Sequence, residues 1–227
     1  MHMQRRCYFC GKLITGSYYV DWANHAVCSD HGVAIKQCVS CGQFCNSLAI
    51  DIGLGGKFCS YCQKHLMTKE DCTHVINYIN RIYSNSEIGE IHNWHLKVID
   101  ATALQKRTGS LYTRGLAERY GDDYTVYVYR QLSKVQFANV LAHELLHIWQ
   151  YNMNINTIPL LCEGFCNLGS FVVLSQINNE EAKASIDNML ASTDPIYGEG
   201  LRKCKQLFEQ GGWLNVIRQL KSTPNIN

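Results

Sequence analysis

Residues 140–149 read Val-Leu-Ala-His-Glu-Leu-Leu-His-Ile-Trp, with His143 and His147 four positions apart and Glu144 beside the first. On a helix, positions i and i+4 share a face, so both imidazoles can reach one zinc ion. Glu144 is turned by about 100°. That takes it out of comfortable ligand reach but leaves it able to touch a water on the same metal. Zinc brings such a water towards neutral pKa, and the carboxylate takes its proton as it attacks a carbonyl. The expected third ligand is Glu163, in Leu160-Leu161-Cys162-Glu163-Gly164-Phe165-Cys166-Asn167. A turn at Pro159 and an antiparallel second helix would return it to the histidines, and a glutamate among apolar neighbours needs a partner. Asn167, four residues on, reads either as an acceptor for the free ring N–H of a ligand histidine or as a plain surface amide. Hydrolysis of a peptide bond also needs a donor for the developing oxyanion. Tyr197, in Asp194-Pro195-Ile196-Tyr197-Gly198 with Arg202 behind it, is the candidate.

A second set of ligands lies near the start of the chain. Shifted by 31 residues, Cys7, Cys10, Cys28 and His31 fall on Cys38, Cys41, Cys59 and Cys62. Both units read Cys-x2-Cys-x17-Cys-x2-(His/Cys), the spacing of a structural zinc site. Neither unit can bury much apolar surface alone, so metal binding would supply the missing folding free energy. His25 offers an alternative to His31, but the repeat sets it opposite Gly56. The expectation is three zinc ions per chain, two structural and one catalytic. Cys45, Cys72, Cys162, Cys166 and Cys204 show no ligand spacing and read as buried free thiols.

The elements that must hold these residues follow from pattern. Short strands are expected at 17–22 and 48–52. Thr68-x-x-Asp71 resembles a capping box opening a helix over 69–84, and 95–99 and 124–129 read as strands. The segment 109–121 between them carries glycines and is assigned no element. Strand 124–129 precedes the histidine helix and reads either as an edge that pairs with a substrate backbone or as an ordinary sheet strand. Helices are expected over 134–152, 160–177, 180–192, 199–210 and 213–221, separated by Pro159, Asn178-Asn179, Asp194-Pro195 and Gly211-Gly212. A short sheet followed by a mostly helical half is an α+β pattern. The boundaries are 1–67 for a tandem zinc-finger domain and 68–227 for a metallopeptidase domain.

Composition narrows the function classes. The chain has 227 residues, 46% hydrophobic and 18% charged, with a formal charge of +2. Wholesale disorder is excluded at that balance. No apolar run approaches the roughly 18 residues that span a bilayer, and Met1–Cys7 lacks the apolar stretch of a signal peptide, which points to a cytoplasmic protein without a membrane partner. Residues 1–70 hold 7 Lys/Arg against 4 Asp/Glu, a formal +3 that seven ligand thiolates and two divalent ions bring to about zero. That is no footprint for nucleic acid.

The paired fingers at residues 7–62 resemble a LIM domain, although six residues separate His31 from Cys38 where LIM fingers are joined by about two. His143-Glu144-x-x-His147 followed by Glu163-Gly164-Phe165 resembles the gluzincin metallopeptidases. The whole arrangement resembles the plant LIM-containing peptidases that limit organ growth and are activated by ubiquitin, on Ala142–Trp149, Cys162–Cys166 and Asp194–Gly198. The resemblance spans most of 7–210, and the chain is a short form without recognisable ubiquitin-interacting helices. It implies a zinc endopeptidase acting on protein or peptide substrates. The LIM-like module would select substrates, bind a regulatory protein or restrain the site. A non-catalytic zinc-binding adaptor is the alternative, and Glu144 beside both histidines is what an adaptor has no need to keep.

Overall fold

The computed structural model describes residues 5–53, 55–110 and 112–225. The expectation about a leader at Met1–Cys7 falls in part on residues 1–4, outside those described. The chain is α+β and divides into two compact units, one of Met1–Met67 with Gln131–Gln136, the other of Thr68–Arg130 with Phe137–Asn227.

The first unit is built on two small antiparallel hairpins, β1 (Tyr18–Val20) with β2 (Ala26–Cys28) and β3 (Ile50–Asp51) with β4 (Lys57–Phe58). Each hairpin fills the stretch between the second and third cysteines of one repeat. A 3-10 turn, Ser29–Ala34, carries His31, and a short helix α1 (Ser60–Lys64) carries Cys62. Buried cysteines make up much of the unit's interior, joined by Val27, Phe44 and Phe58. With so little apolar surface to bury, polar contacts must tie the repeats together. The Asp21 carboxylate accepts from the Phe44 N–H at 2.8 Å, and the Trp22 indole donates to the Cys41 carbonyl at 2.6 Å.

The second unit opens with α2 (Lys69–Ser84). Thr68 and Asp71 form its capping box, each side chain accepting from the other's backbone N–H. There follow β5 (Trp94–Ile99), α3 (Ala101–Thr108), β6 (Gly115–Tyr120) and β7 (Asp123–Tyr129). Their sheet has the order β5-β7-β6, with β5 parallel and β6 antiparallel to β7. Two of these elements lie where the sequence pattern assigns none. Helix α3 is capped by Asp100, whose side chain accepts from the Ala103 N–H, and ends at Gly109 with φ +71°. Strand β6 occupies most of the glycine-containing segment. Strand β7 is the centre of the sheet, bonded on both sides, so 124–129 cannot be a free edge.

Four helices complete the unit. Helix α4 (Lys134–Asn152) starts at Ser133, whose hydroxyl accepts from the Gln136 N–H, and α5 (Pro159–Ser175) starts with proline at its first turn. Helix α6 (Glu180–Ala191) is followed by α7 (Tyr197–Ser222), broken at Gly211 and Gly212, where φ is +63° at Gly212. That break separates the two helices expected at 199–210 and 213–221. Leu141, Leu145, Leu146 and Ile148 of α4 are fully buried. Trp149, Phe165 and Trp213 pack in series across α4, α5 and α7, the first pair tilted and the second edge-to-face, with ring centroids 5.1 and 5.5 Å apart. The Tyr83 hydroxyl donates to the Ala142 carbonyl at 2.9 Å, which ties α2 to the turn that carries His143. Among the described residues no helix is long and apolar enough to cross a membrane.

Candidate metal centres

The apolar face of α4 is sunk in the core, and what remains points into a cleft of about 890 Å³ lined by His143, Glu144, His147, Tyr151, Glu163, Asn167, Tyr197 and the backbone side of β6. Helix α5 brings Glu163 back against α4. The His143 and His147 Nε2 atoms lie 3.1 Å apart, and Glu163 Oε2 is 3.2 Å from the first and 3.6 Å from the second. For bonds of about 2.0–2.1 Å to a tetrahedral zinc, ligand atoms stand ~3.3 Å from one another. All three edges fall close to that value.

The other ring nitrogens say which way the lone pairs face. Asn167 Nδ2 donates to the Tyr197 carbonyl at 3.1 Å, so its Oδ1, 3.0 Å from His143 Nδ1, is left to accept a hydrogen bond there. Gln150 Nε2 donates to the Cys162 carbonyl at 3.2 Å, and its Oε1 accepts from His147 Nδ1 at 3.3 Å. With both Nδ1 atoms protonated, neutral imidazoles turn two lone pairs and a carboxylate oxygen toward one point. Such a set suits a cation. Burial raises the Glu163 carboxyl, but when the two rings carry a proton at Nε2 their hydrogen bonds and charge outweigh it and hold it at about 2, fully ionised.

Glu144 is 8% exposed, and burial pushes its carboxyl above the ordinary range, opposed by the two imidazoles and by the Ala117 N–H. Its seat depends on Gly115: a Cβ there would stand 2.7 Å from Glu144 Oε1 and 2.5 Å from Val140. In the β6–β7 ladder, Tyr120 pairs with Asp123 across a two-residue turn. Alternation along the ladder then turns the N–H and C=O of Gly115 and Ala117 away from β7. The free edge beside Glu144 is therefore β6, in place of 124–129.

Tyr197 opens α7, its N–H held by the Asp194 carboxylate at 2.8 Å. Burial, and then the negative charge of Glu163, raise its phenol, so it stays a neutral donor. Arg202 does not stand behind it; its guanidinium caps the preceding helix through the Leu190 and Ser192 carbonyls.

In the first unit the ligand atoms of Cys7, Cys10, Cys28 and His31 cluster within 4.8 Å of one another, as do those of Cys38, Cys41, Cys59 and Cys62. Both sets are of a kind that holds zinc. Cys41 and Cys59 sulfurs lie 3.7 Å apart, against ~3.8 Å for two thiolates on one tetrahedral ion. His31 Nε2 is buried with no hydrogen-bond partner, the state of a lone pair reserved for a metal. His25 is otherwise engaged, its Nδ1 2.9 Å from the Asp21 carboxylate and its ring stacked on Tyr8. Burial raises the Cys7 thiol, yet backbone N–H groups of Cys10, Cys28 and Phe9 bring it down to about 6. Cys38 accepts likewise from the Cys59 N–H at 3.3 Å.

Three residues beside His147, of which Tyr151 lines the cleft, were not read as part of the site. Gln150 and Tyr151 continue the face of His147 at i+3 and i+4, a signal that was available. Cys166, read as a buried free thiol, is buried and lies 3.4 Å from His147 Nδ1. None of the 12 cysteines is in a disulfide. Comparison of the chain with protein-family models, with curated proteins and with solved structures finds no match. The chemistry of the site rests on its own atoms.

Proposed function

We propose that the second unit is a gluzincin-type zinc peptidase and that the first is a LIM-like module holding two structural zinc ions. The observation that carries this reading is the triangle of His143 Nε2, His147 Nε2 and Glu163 Oε2 at 3.1–3.6 Å, with Glu144 in the same cleft. A zinc ion held by those three residues supplies Lewis acidity toward the attacking water and the scissile carbonyl. The protein's own groups do the rest. Glu144, with its basicity raised by burial, takes the proton of the attacking water and hands it to the departing amine. Tyr197 offers a neutral phenol to the oxyanion. The outward backbone groups of β6 other than the Ala117 N–H, which Glu144 holds, align an extended substrate by main-chain hydrogen bonds, which selects for extended conformation more than for sequence.

Substrates on this reading are proteins or peptides, and the LIM-like module recruits them or carries a regulatory partner in a cytoplasmic setting. The test is incubation of a cell lysate with the wild-type chain and with Glu144→Gln, followed by mass-spectrometric reading of new peptide termini. Termini generated by the wild type and absent with the variant are expected. Identical termini from both would remove Glu144 as the base, and none from either would leave the adaptor reading.

A further inference from the structure

We infer that Gln150 is a positioning residue for the His143–His147–Glu163 centre, fixing the tautomer of His147 and anchoring the peptide unit in front of Glu163. This rests on the zinc-peptidase reading and adds a residue to it. A neutral imidazole has one N–H and one lone pair, so His147 can turn a lone pair into the cleft from Nε2 only if Nδ1 keeps its proton. A primary amide beside Nδ1 could enforce either tautomer, depending on which end faces the ring. Here the choice is made by the backbone. Gln150 Nε2 donates to the Cys162 carbonyl at 3.2 Å, which leaves Oε1 facing His147 Nδ1 at 3.3 Å. The Cys162 thiol reinforces the same orientation, donating to that oxygen at 3.3 Å, and Cys166 Sγ stands 3.4 Å from Nδ1, where it can accept from the same N–H. The amide is 2% exposed and so shielded from bulk water.

Cys162 directly precedes Glu163. One side chain on α4 therefore sets the donor atom of a histidine on its own helix and grips the α5 backbone where the carboxylate ligand leaves it. Asn167 does the converse, reaching from α5 to His143 Nδ1 at 3.0 Å. The two amides cross-brace the helices at the centre.

The test uses the full chain and two variants. Gln150→Met keeps the side-chain length and removes every hydrogen bond; Gln150→Glu keeps an oxygen acceptor for Nδ1. Chelator competition reads the affinity of the most weakly held zinc. Long-range ¹H–¹⁵N NMR of histidine-labelled chain stripped of that ion, above the imidazole titration range, reads the tautomer of His147. Gln150→Met is expected to loosen that zinc by about 10–100-fold and to move His147 away from the Nδ1–H form. The finger ions should stay bound, His143 should keep its tautomer, and Gln150→Glu should recover most of the affinity. An Nδ1–H His147 and an unchanged affinity in Gln150→Met would overturn the inference. So would equal losses in both variants with the tautomer intact, the mark of a packing role. A wild-type chain that holds only two zinc ions sinks the peptidase reading itself; three ions with Gln150 indifferent sinks this inference alone.

Discussion

Gly164 of α5 and Gly200 of α7 cross with their backbones in contact. A Cβ on Gly164 would lie 2.3 Å from the Gly200 carbonyl oxygen, and one on Gly200 would lie 2.3 Å from that of Leu160. This approach brings the first turn of α7, with Tyr197, against the turn of α5 that carries Glu163, close enough for Asn167 to bond the Tyr197 carbonyl.

The crossing sets a first prediction. Gly164→Ala puts a methyl group into backbone that cannot rotate away, and an overpacked site of this kind costs about 1–3 kcal/mol. Chemical denaturation should show the second unit destabilised by that amount, and the finger zinc content should be unaffected. A midpoint equal to wild type would mean that the helices separate freely.

Gly115→Ala tests the seat of Glu144, the proposed base. The new methyl would overlap Val140 and the Glu144 carboxylate, and a displacement of about 1 Å in a catalytic group can cost ~100-fold in rate. Turnover of a cleavable peptide should fall by about that factor with all metal retained. Full activity would show that Glu144 need not sit against β6.

For the first finger, His31→Ala should release one zinc ion, whereas His25→Ala should leave the metal in place and loosen the loop that Asp21 organises. Metal content by mass spectrometry separates the two. The reverse pattern would make His25 the ligand.

Cys204 is fully buried on α7, and burial, followed by the charge of Cys166, pushes its thiol from 9.0 up to about 12. A raised value in the fold means the unfolded chain ionises first. Its contribution is therefore intact below pH 9 and is lost as the pH climbs towards 12. Cys204 should resist alkylation at pH 8 until the second unit unfolds, which peptide mapping after iodoacetamide treatment reads. Rapid modification of the native chain would contradict that burial.

Most of the candidate ligands were legible because they lie in a pattern set by geometry. The two histidines repeat at the helical period, the finger cysteines repeat twice at one spacing, and Pro159 marks where α5 begins. Strand β6 was hidden because Leu116-Ala117-Glu118-Arg119-Tyr120 has neither β-branched residues nor clean alternation, and its place comes from pairing with β7. Helix α3 did carry a signal, Asp100 as its cap and Gly109 at its end, in a stretch too short for periodicity to register. The meeting of Gly164 with Gly200, and the thiols of Cys162 and Cys166 around Gln150, are tertiary facts. No spacing in the chain announces that two distant glycines will touch.

The most direct measurement of the central claim is zinc stoichiometry by native mass spectrometry on the intact chain and on Glu163→Gln. The triangle formed by His143, His147 and Glu163 predicts three ions in the wild type and two in the variant, with the eight finger ligands still loaded. Two ions in both proteins would contradict a metal between α4 and α5, and the peptidase reading would fall with it.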